Sequence, residues 1–229
     1  MQIIGKDVKM SGEGYINETF YFTTHGEINT TKTIELAKKR ADELKIKKII
    51  IASETGLSAL EAIKVFDAND VIVVSSAAGT IVENTIIGNL RIGITDKEIY
   101  NELVNRGVKV IRGTDPFWGL GAHSDLTDTG KLGMMFYKVI CGGIHVCMTA
   151  ILEATDQGLL ESGEESIALA GSWVGLDTSI VAKACNTVNF FKEFEVLELI
   201  CKPRNARYSW PINQEDWRGD FEKYRRFTL

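Results

Sequence analysis

Between Ile49 and Ile63 the chain reads IIIASETGLSALEAI, with Ser53, Thr55, Gly56 and Ser58 set between an apolar run and a helix-forming stretch. A turn that feeds a strand into a helix suits an anion. The first N–H groups of a helix have no internal partner, and the helix dipole leaves partial positive charge there. The three hydroxyls would add donors, and Gly56 would let a ligand approach the backbone closely. That chemistry is the holding of a phosphate. The same residue types also cap helices and make tight turns. Neither GxxxxGK[ST] nor GxGxxG is present, so the turn names no reaction.

Other residues with chemical potential are scattered. His123-Ser124-Asp125 has the residue types of a catalytic triad, but a triad is a spatial arrangement and adjacency in sequence is the wrong geometry. Asp115, Asp125 and Asp128 could gather around a hard cation, yet they lack the spacing and terminal Glu of a calcium loop, and a solvated loop is the plainer expectation. His25, Glu27 and Asn29 lie between a strand and a helix start, as ligand contacts or as a capping and turn cluster. His145 sits in an apolar helical stretch and is expected in the core or an interface. Glu83, Asn84 and Thr85 follow Gly79 in a long loop and offer polar contacts. Trp118, followed by Gly119, and Trp173 stand in glycine-rich loops, where either can stack on a planar ring or anchor its loop. Ser172, Gly175, Asp177 and Thr178 belong to the second of these loops, where Asp177 accepts hydrogen bonds from a ligand or from backbone N–H groups.

The elements that must position these residues alternate. A short strand is expected within Tyr15–Phe22, then a helix capped by Asn29 or Thr30 with Ile34, Ala37, Ala41 and Leu44 on one face. Lys47–Ala52 reads as a buried strand of the kind parallel sheets prefer. Leu57–Phe66 reads as a helix and Val71–Ser75 as a strand, followed by an irregular stretch over 77–94. Thr95 with Glu98 predicts a capping box opening a helix to Asn105, and Val108–Arg112 a further strand. Helices follow over 131–140 and 144–155, separated by Gly142–Gly143, and then strands at 166–170, 178–182 and 196–201. This order predicts a doubly wound, mostly parallel sheet with helices on both faces. Ligands of such sheets bind beyond the carboxyl ends of the strands. The segments 53–58, 76–94, 113–130 and 171–177 all follow strand carboxyl ends and are expected to converge on that edge.

Composition narrows the partners. The 229 residues carry a formal net charge of −5, which argues against nucleic acid as a main partner. Five arginines from Arg204 to Arg226 are interleaved with Asp216, Asp220 and Glu222, as on a solvated or subunit-contact surface. No run of about 18 apolar residues predicts a membrane span. Cys141, Cys147, Cys185 and Cys201 show no CxxC spacing and are expected to be reduced, mostly buried thiols. Without a secretory signal pattern the expected compartment is the cytoplasm.

Motif order then resembles a known family. The pieces are GEINT at 26–30, ASETGLSA at 52–59, GTIVENT at 79–85, RGVKVIR at 106–112, AGSWVGLDT at 170–178, NFF at 189–191 and KPRN at 202–205. Together they resemble the stand-alone archaeal and bacterial relatives of the pyruvate kinase C-terminal α/β domain. The resemblance implies a three-layer α/β/α arrangement whose mostly parallel sheet has one antiparallel strand, in one domain over 1–205; residues 206–229 fall outside it and read, from their polar and aromatic residues, as a C-terminal arm. It implies that Ser53, Thr55, Gly56 and Ser58 hold the phosphate of flavin mononucleotide (FMN) or another phosphorylated small molecule. Loops 79–85, 114–123 and 171–178 would surround the rest. The chain departs from the family pattern at 118–122 and 174–178, where the family carries an arginine in each segment. Three functions are compatible with these residues: binding of a phosphorylated ligand, flavin-dependent redox chemistry, or ligand-free assembly as a homo-oligomer through the aromatic arm. Pyruvate kinase catalysis is not expected, because the barrel that carries it needs about 250 residues.

Overall fold

The computed structural model describes residues 14–118, 128–205 and 219–229. Strands β1 (Phe20–Phe22), β2 (Ile49–Ala52), β3 (Val71–Ser76), β6 (Lys109–Gly113), β7 (Glu165–Ala170), β8 (Thr178–Lys183) and β9 (Glu195–Pro203) form one sheet in the order β1-β9-β8-β7-β2-β3-β6. Only β8 runs against the rest, paired antiparallel with both β7 and β9. The other ladders are parallel. The expected mostly parallel sheet with one reversed strand is therefore present.

The reason lies in β2. Ile49, Ile50 and Ile51 are at most 1% exposed, as a central strand covered on both faces requires. Alternation sends Ile49 and Ile51 to one face, with helices α1 (Thr30–Leu44), α2 (Leu57–Ala62) and α3 (Lys97–Asn105). Ile50 turns to the other face and joins the apolar side of α5 (Gly142–Asp156). Helices α1, α2 and α3 all begin at the edge where the parallel strands end.

Three local expectations need correction. The stretch over 77–94 is not irregular: it contains the antiparallel hairpin β4 (Ile81–Thr85) and β5 (Gly88–Arg91). The cap of α3 is Asp96, not Thr95; its carboxylate accepts from the N–H groups of Glu98 and Ile99 at 2.9 and 3.2 Å. Gly142 and Gly143 do not separate two helices but form the first turn of α5, behind a π-helical turn over Phe136–Ile140. A Cβ on Gly143 would lie 2.2 Å from Thr178 Oγ1, so the helix start rests directly on β8. Preceding that turn, α4 covers Asp128–Met135, and a short α6 covers Phe190–Glu193.

The arm expected over 206–229 is described only over its last eleven residues, and these fold back on the body. Tyr224 and Phe227, 3% and 6% exposed, belong to the same core cluster as α1, α2 and α3. Thr228 bridges Leu90 of the hairpin. Among the described residues no helix is long and apolar enough to cross a membrane.

Candidate functional site

The carboxyl ends of β2, β3 and β7 lie side by side, which brings the Ser53–Ser58 turn between the end of β3 and the Gly171–Asp177 loop. Ser53 continues the ladder, its N–H donating to Val74 O at 2.9 Å. Ser53, Thr55 and Ser58 are 6%, 7% and 9% exposed. Thr55 Oγ1 accepts a long bond from Leu57 N–H at 3.4 Å. The hydroxyls of Ser53 and Ser58 bond to no described residue, and no described acceptor meets the N–H groups of Glu54, Thr55 or Gly56. Both hydroxyls keep some access to solvent, so an acceptor from a ligand can reach them.

Glu54 is the one acid in the turn. Its carboxylate is drawn to the end of β3, accepting from Ser75 Oγ at 3.0 Å, Ser76 N–H at 3.1 Å and Ser76 Oγ at 2.8 Å. The residue is exposed overall, but protein crowds the carboxylate. That crowding pushes its pKa up, against the pull of the Ser76 and Ser75 bonds.

Gly56 does a different job from the one expected. Its φ is +87°, and a Cβ there would lie 2.4 Å from Ile99 Cγ2 and 3.4 Å from Ile94 Cγ2. The side where a Cβ would stand is filled by Ile99 of α3 and by Ile94, while the Gly56 N–H has no described acceptor. Gly175 is likewise committed to packing. With φ +81°, its Cβ would lie 2.3 Å from Glu27 Cα.

Leu176, Asp177 and Thr178 at the end of the second loop are tied to the protein, whereas the buried Ser172 Oγ has no hydrogen-bond partner among the described residues. Asp177 and Thr178 have no exposed surface. Asp177 Oδ2 accepts from Gly26 N–H at 3.1 Å, and Oδ1 from Thr178 Oγ1 at 2.9 Å. Burial pushes the Asp177 carboxyl up, while these hydrogen bonds oppose it. Leu176 N–H donates to Thr30 Oγ1 at 3.0 Å, and Thr33 Oγ1 donates to Leu176 O at 3.1 Å. Asn29 serves its turn, donating from Nδ2 to Thr24 O at 2.8 Å. Ser172 is buried beside them. Of the residues expected on a ligand, Gly56, Gly175, Asp177, Thr178 and Asn29 are thus occupied by the protein itself.

The two tryptophans do not share a pocket. Trp173 packs against the cluster under α1, α2 and α3, and Trp118 against the one under α5. Trp118 stacks on His145 with ring centroids 4.6 Å apart. Gly79, Glu83 and Asn84 are exposed on the hairpin side, and Thr85 partly so. Gly119 and the run His123-Ser124-Asp125 lie outside the described residues.

Behind the sheet, sequence reasoning missed a polar cluster. Fully buried His145 meets Asp115 Oδ2 through Nε2 at 2.8 Å, and Asp115 Oδ1 accepts from Phe117 N–H at 2.8 Å. Asp115 is therefore no solvated loop acid, whereas Asp128 is exposed and pairs with Lys131 at 3.1 Å. Glu153 of α5 lies nearby, its Oε2 placed 1.9 Å from where a Cβ on Gly113 would be. Burial first, then the charges of Asp115, Glu54 and Asp156, push the Glu153 carboxyl up to about 7. No spacing in the sequence links 54, 115, 145 and 153. The four cysteines are free and buried, and burial pushes the Cys185 and Cys201 thiols up to about 11 and about 12.

These features define an α/β protein whose polar turn lies at the carboxyl edge of a mostly parallel sheet. The family model described as pyruvate kinase, alpha/beta domain, matches residues 31–182, and the chain belongs to that family.

Proposed function

We propose that this protein binds a phosphorylated small molecule, with the phosphate held by the Ser53–Ser58 turn. The observation that carries the reading is the set of unpartnered donors there. The Ser53 and Ser58 hydroxyls and the Glu54, Thr55 and Gly56 N–H groups lack described acceptors, while Glu54 is drawn aside by Ser75 and Ser76. A phosphate supplies the acceptors that such a set of donors lacks.

FMN is the ligand that the family resemblance suggests, and the residues fit its two halves unequally. The turn suits the phosphate. The planar ring finds no cradle among the described residues, because Asp177 and Thr178 are fully buried and Trp118 is stacked on His145. No redox step is derived from this fit.

The test is equilibrium dialysis of the full chain against FMN and against inorganic phosphate, beside the double variant Ser53→Ala/Ser58→Ala. Hydrogen bonds to a charged partner contribute about 1.5–3 kcal/mol each, so the double variant should bind at least about tenfold more weakly. Equal affinity of parent and variant would refute the phosphate assignment. Preference for FMN over phosphate would show that the ring contributes.

A further inference from the structure

From the way its last eleven residues are anchored, we infer that the segment Gly219–Leu229 is an intramolecular strap that closes over the Ser53–Ser58 turn and must lift to admit a ligand. The gating role rests on the phosphate reading above; the covering of the turn does not.

Helix α2 packs between α1 and α3, and all three start at the carboxyl edge of the sheet. The segment is tied at one end to the entrance of α1, where Glu27 pairs with Lys223 and accepts from Asp220 N–H at 3.2 Å. At its other end Arg226 pairs with Asp96, the cap of α3, and lies 3.9 Å from Glu98. A segment joining the starts of α1 and α3 crosses the start of α2, which is the Gly56–Ser58 corner of the turn. Two contacts tie this sheet edge to the same two anchor regions. The turn is itself bound to the α3 side, Glu54 O accepting from Gly93 and Ile94 N–H at 3.1 and 2.9 Å. Gly175 presses on Glu27 from the β7 side.

The anchoring is of two strengths. Tyr224 and Phe227 are buried as deeply as core residues. The charged tethers are half open, with side-chain exposures of 35% and 20% for Lys223 and Glu27, and 49% and 16% for Arg226 and Asp96. Such pairs are individually weak and are screened by salt. The last residues do not pack flush either: Arg226 and Thr228 border a cavity of about 340 Å³ against Arg91 and Thr95. The strap is thus held by two rings, by the Thr228–Leu90 bridge and by Leu229 N–H donating to Asn89 O at 3.0 Å, and it is latched by charges at both ends.

Thiol labelling tests this directly, because the four native cysteines are buried and report only on global opening. Ser58→Cys places a label in the turn, read in the full chain and again with Lys223→Ala/Arg226→Ala added. Unlatching should speed iodoacetamide labelling of position 58 by about three- to tenfold, the effect of losing two exposed ion pairs, with the native thiols still silent. Raising salt from 0.05 to about 0.5 M should speed the latched form alone. Unchanged labelling on unlatching would overturn the strap. Tyr224→Ala provides a stronger opening; should it expose the native thiols as well, it has unfolded the core, and the unlatched double variant decides. Faster labelling together with no binding of FMN or phosphate to the unlatched chain that keeps Ser58 would keep the strap and refute the phosphate reading. Faster labelling with tighter binding supports both.

Discussion

Two loops at the same sheet edge share a vocabulary and differ in fate. Ser53–Ser58 and Gly171–Thr178 follow the paired parallel strands β2 and β7, and both are built of glycine, hydroxyls and one acid. In the second loop the acid, the last hydroxyl and a glycine are spent on the protein, while Ser172 Oγ is buried without a hydrogen-bond partner among the described residues. Asp177 holds Gly26, Thr178 holds Asp177, and Gly175 lets Glu27 approach. In the first, Gly56 packs on Ile99, Glu54 is drawn to Ser75 and Ser76, and Thr55 Oγ1 accepts from Leu57 N–H, while the Ser53 and Ser58 hydroxyls and the Glu54, Thr55 and Gly56 N–H groups meet no described partner. A glycine-and-serine loop is therefore not a ligand loop by composition. What separates the two is whether the neighbouring chain has already supplied the partners.

The contrast can be broken first at Gly175. Gly175→Ala places a methyl against the Glu27 backbone at a positive φ, and backbone cannot step aside as a side chain can. Stability should fall by about 3–5 kcal/mol, read by urea denaturation. A loss under 1 kcal/mol would show that the second loop is not locked. Gly56→Ala should cost less, about 1–3 kcal/mol, since the methyl meets the end of the Ile99 side chain, which can shift. On an Ile99→Ala background the same substitution should cost less than in the parent; an equal cost would mean that Gly56 serves something other than that contact.

A third variant sharpens the comparison from behind, because Glu153 feels the Glu54 charge of the first loop. Its pKa rises from 4.5 to about 7 on folding, so the folded chain holds that proton more tightly than the unfolded one. Stability then falls as pH climbs from about 4.5 through 7, and the loss is complete above 7. Glu153→Gln should melt with the parent near pH 4 and be more stable than it at pH 8, by about 1–2 kcal/mol. Superimposable Tm–pH curves would count against the carboxylate cluster. The smallest effect belongs to the turn: Ser53→Ala/Ser58→Ala should change stability by less than about 1 kcal/mol while weakening the ligand. A large stability loss there would make the first loop structural, like the second.

How much of this could be read in advance varied with the range of the interaction. The strand IIIA and the apolar spacing of α1 are local patterns, and both elements form close to where the pattern puts them. The hairpin over 81–91 was hidden because its register shifts between Val82 and Thr85, which blurs the alternation. The α3 cap was misplaced by one residue because Thr95 and Asp96 both carry a capping oxygen, and only Asp96 has the geometry. Glycine gave the least reliable signal. At 56, 143 and 175 it marks a neighbour that comes close, and sequence does not say whether that neighbour is a ligand or another strand or helix.

By itself, then, the sequence determined the alternation of strands and helices, the family, and the address of one hydroxyl-rich turn at the carboxyl edge. Each depends on residues a few positions apart, where backbone periodicity and capping act. Only the tertiary structure decided which polar groups at that edge stay without partners, that Trp118 and Trp173 serve opposite faces, that His145 meets Asp115, and that the chain's last residues return to the starts of α1 and α3. Those outcomes join residues far apart in sequence, such as Gly26 with Asp177 and Glu27 with Lys223. A hydrogen bond is decided by a few tenths of an ångström in the folded chain, and no local pattern carries that distance.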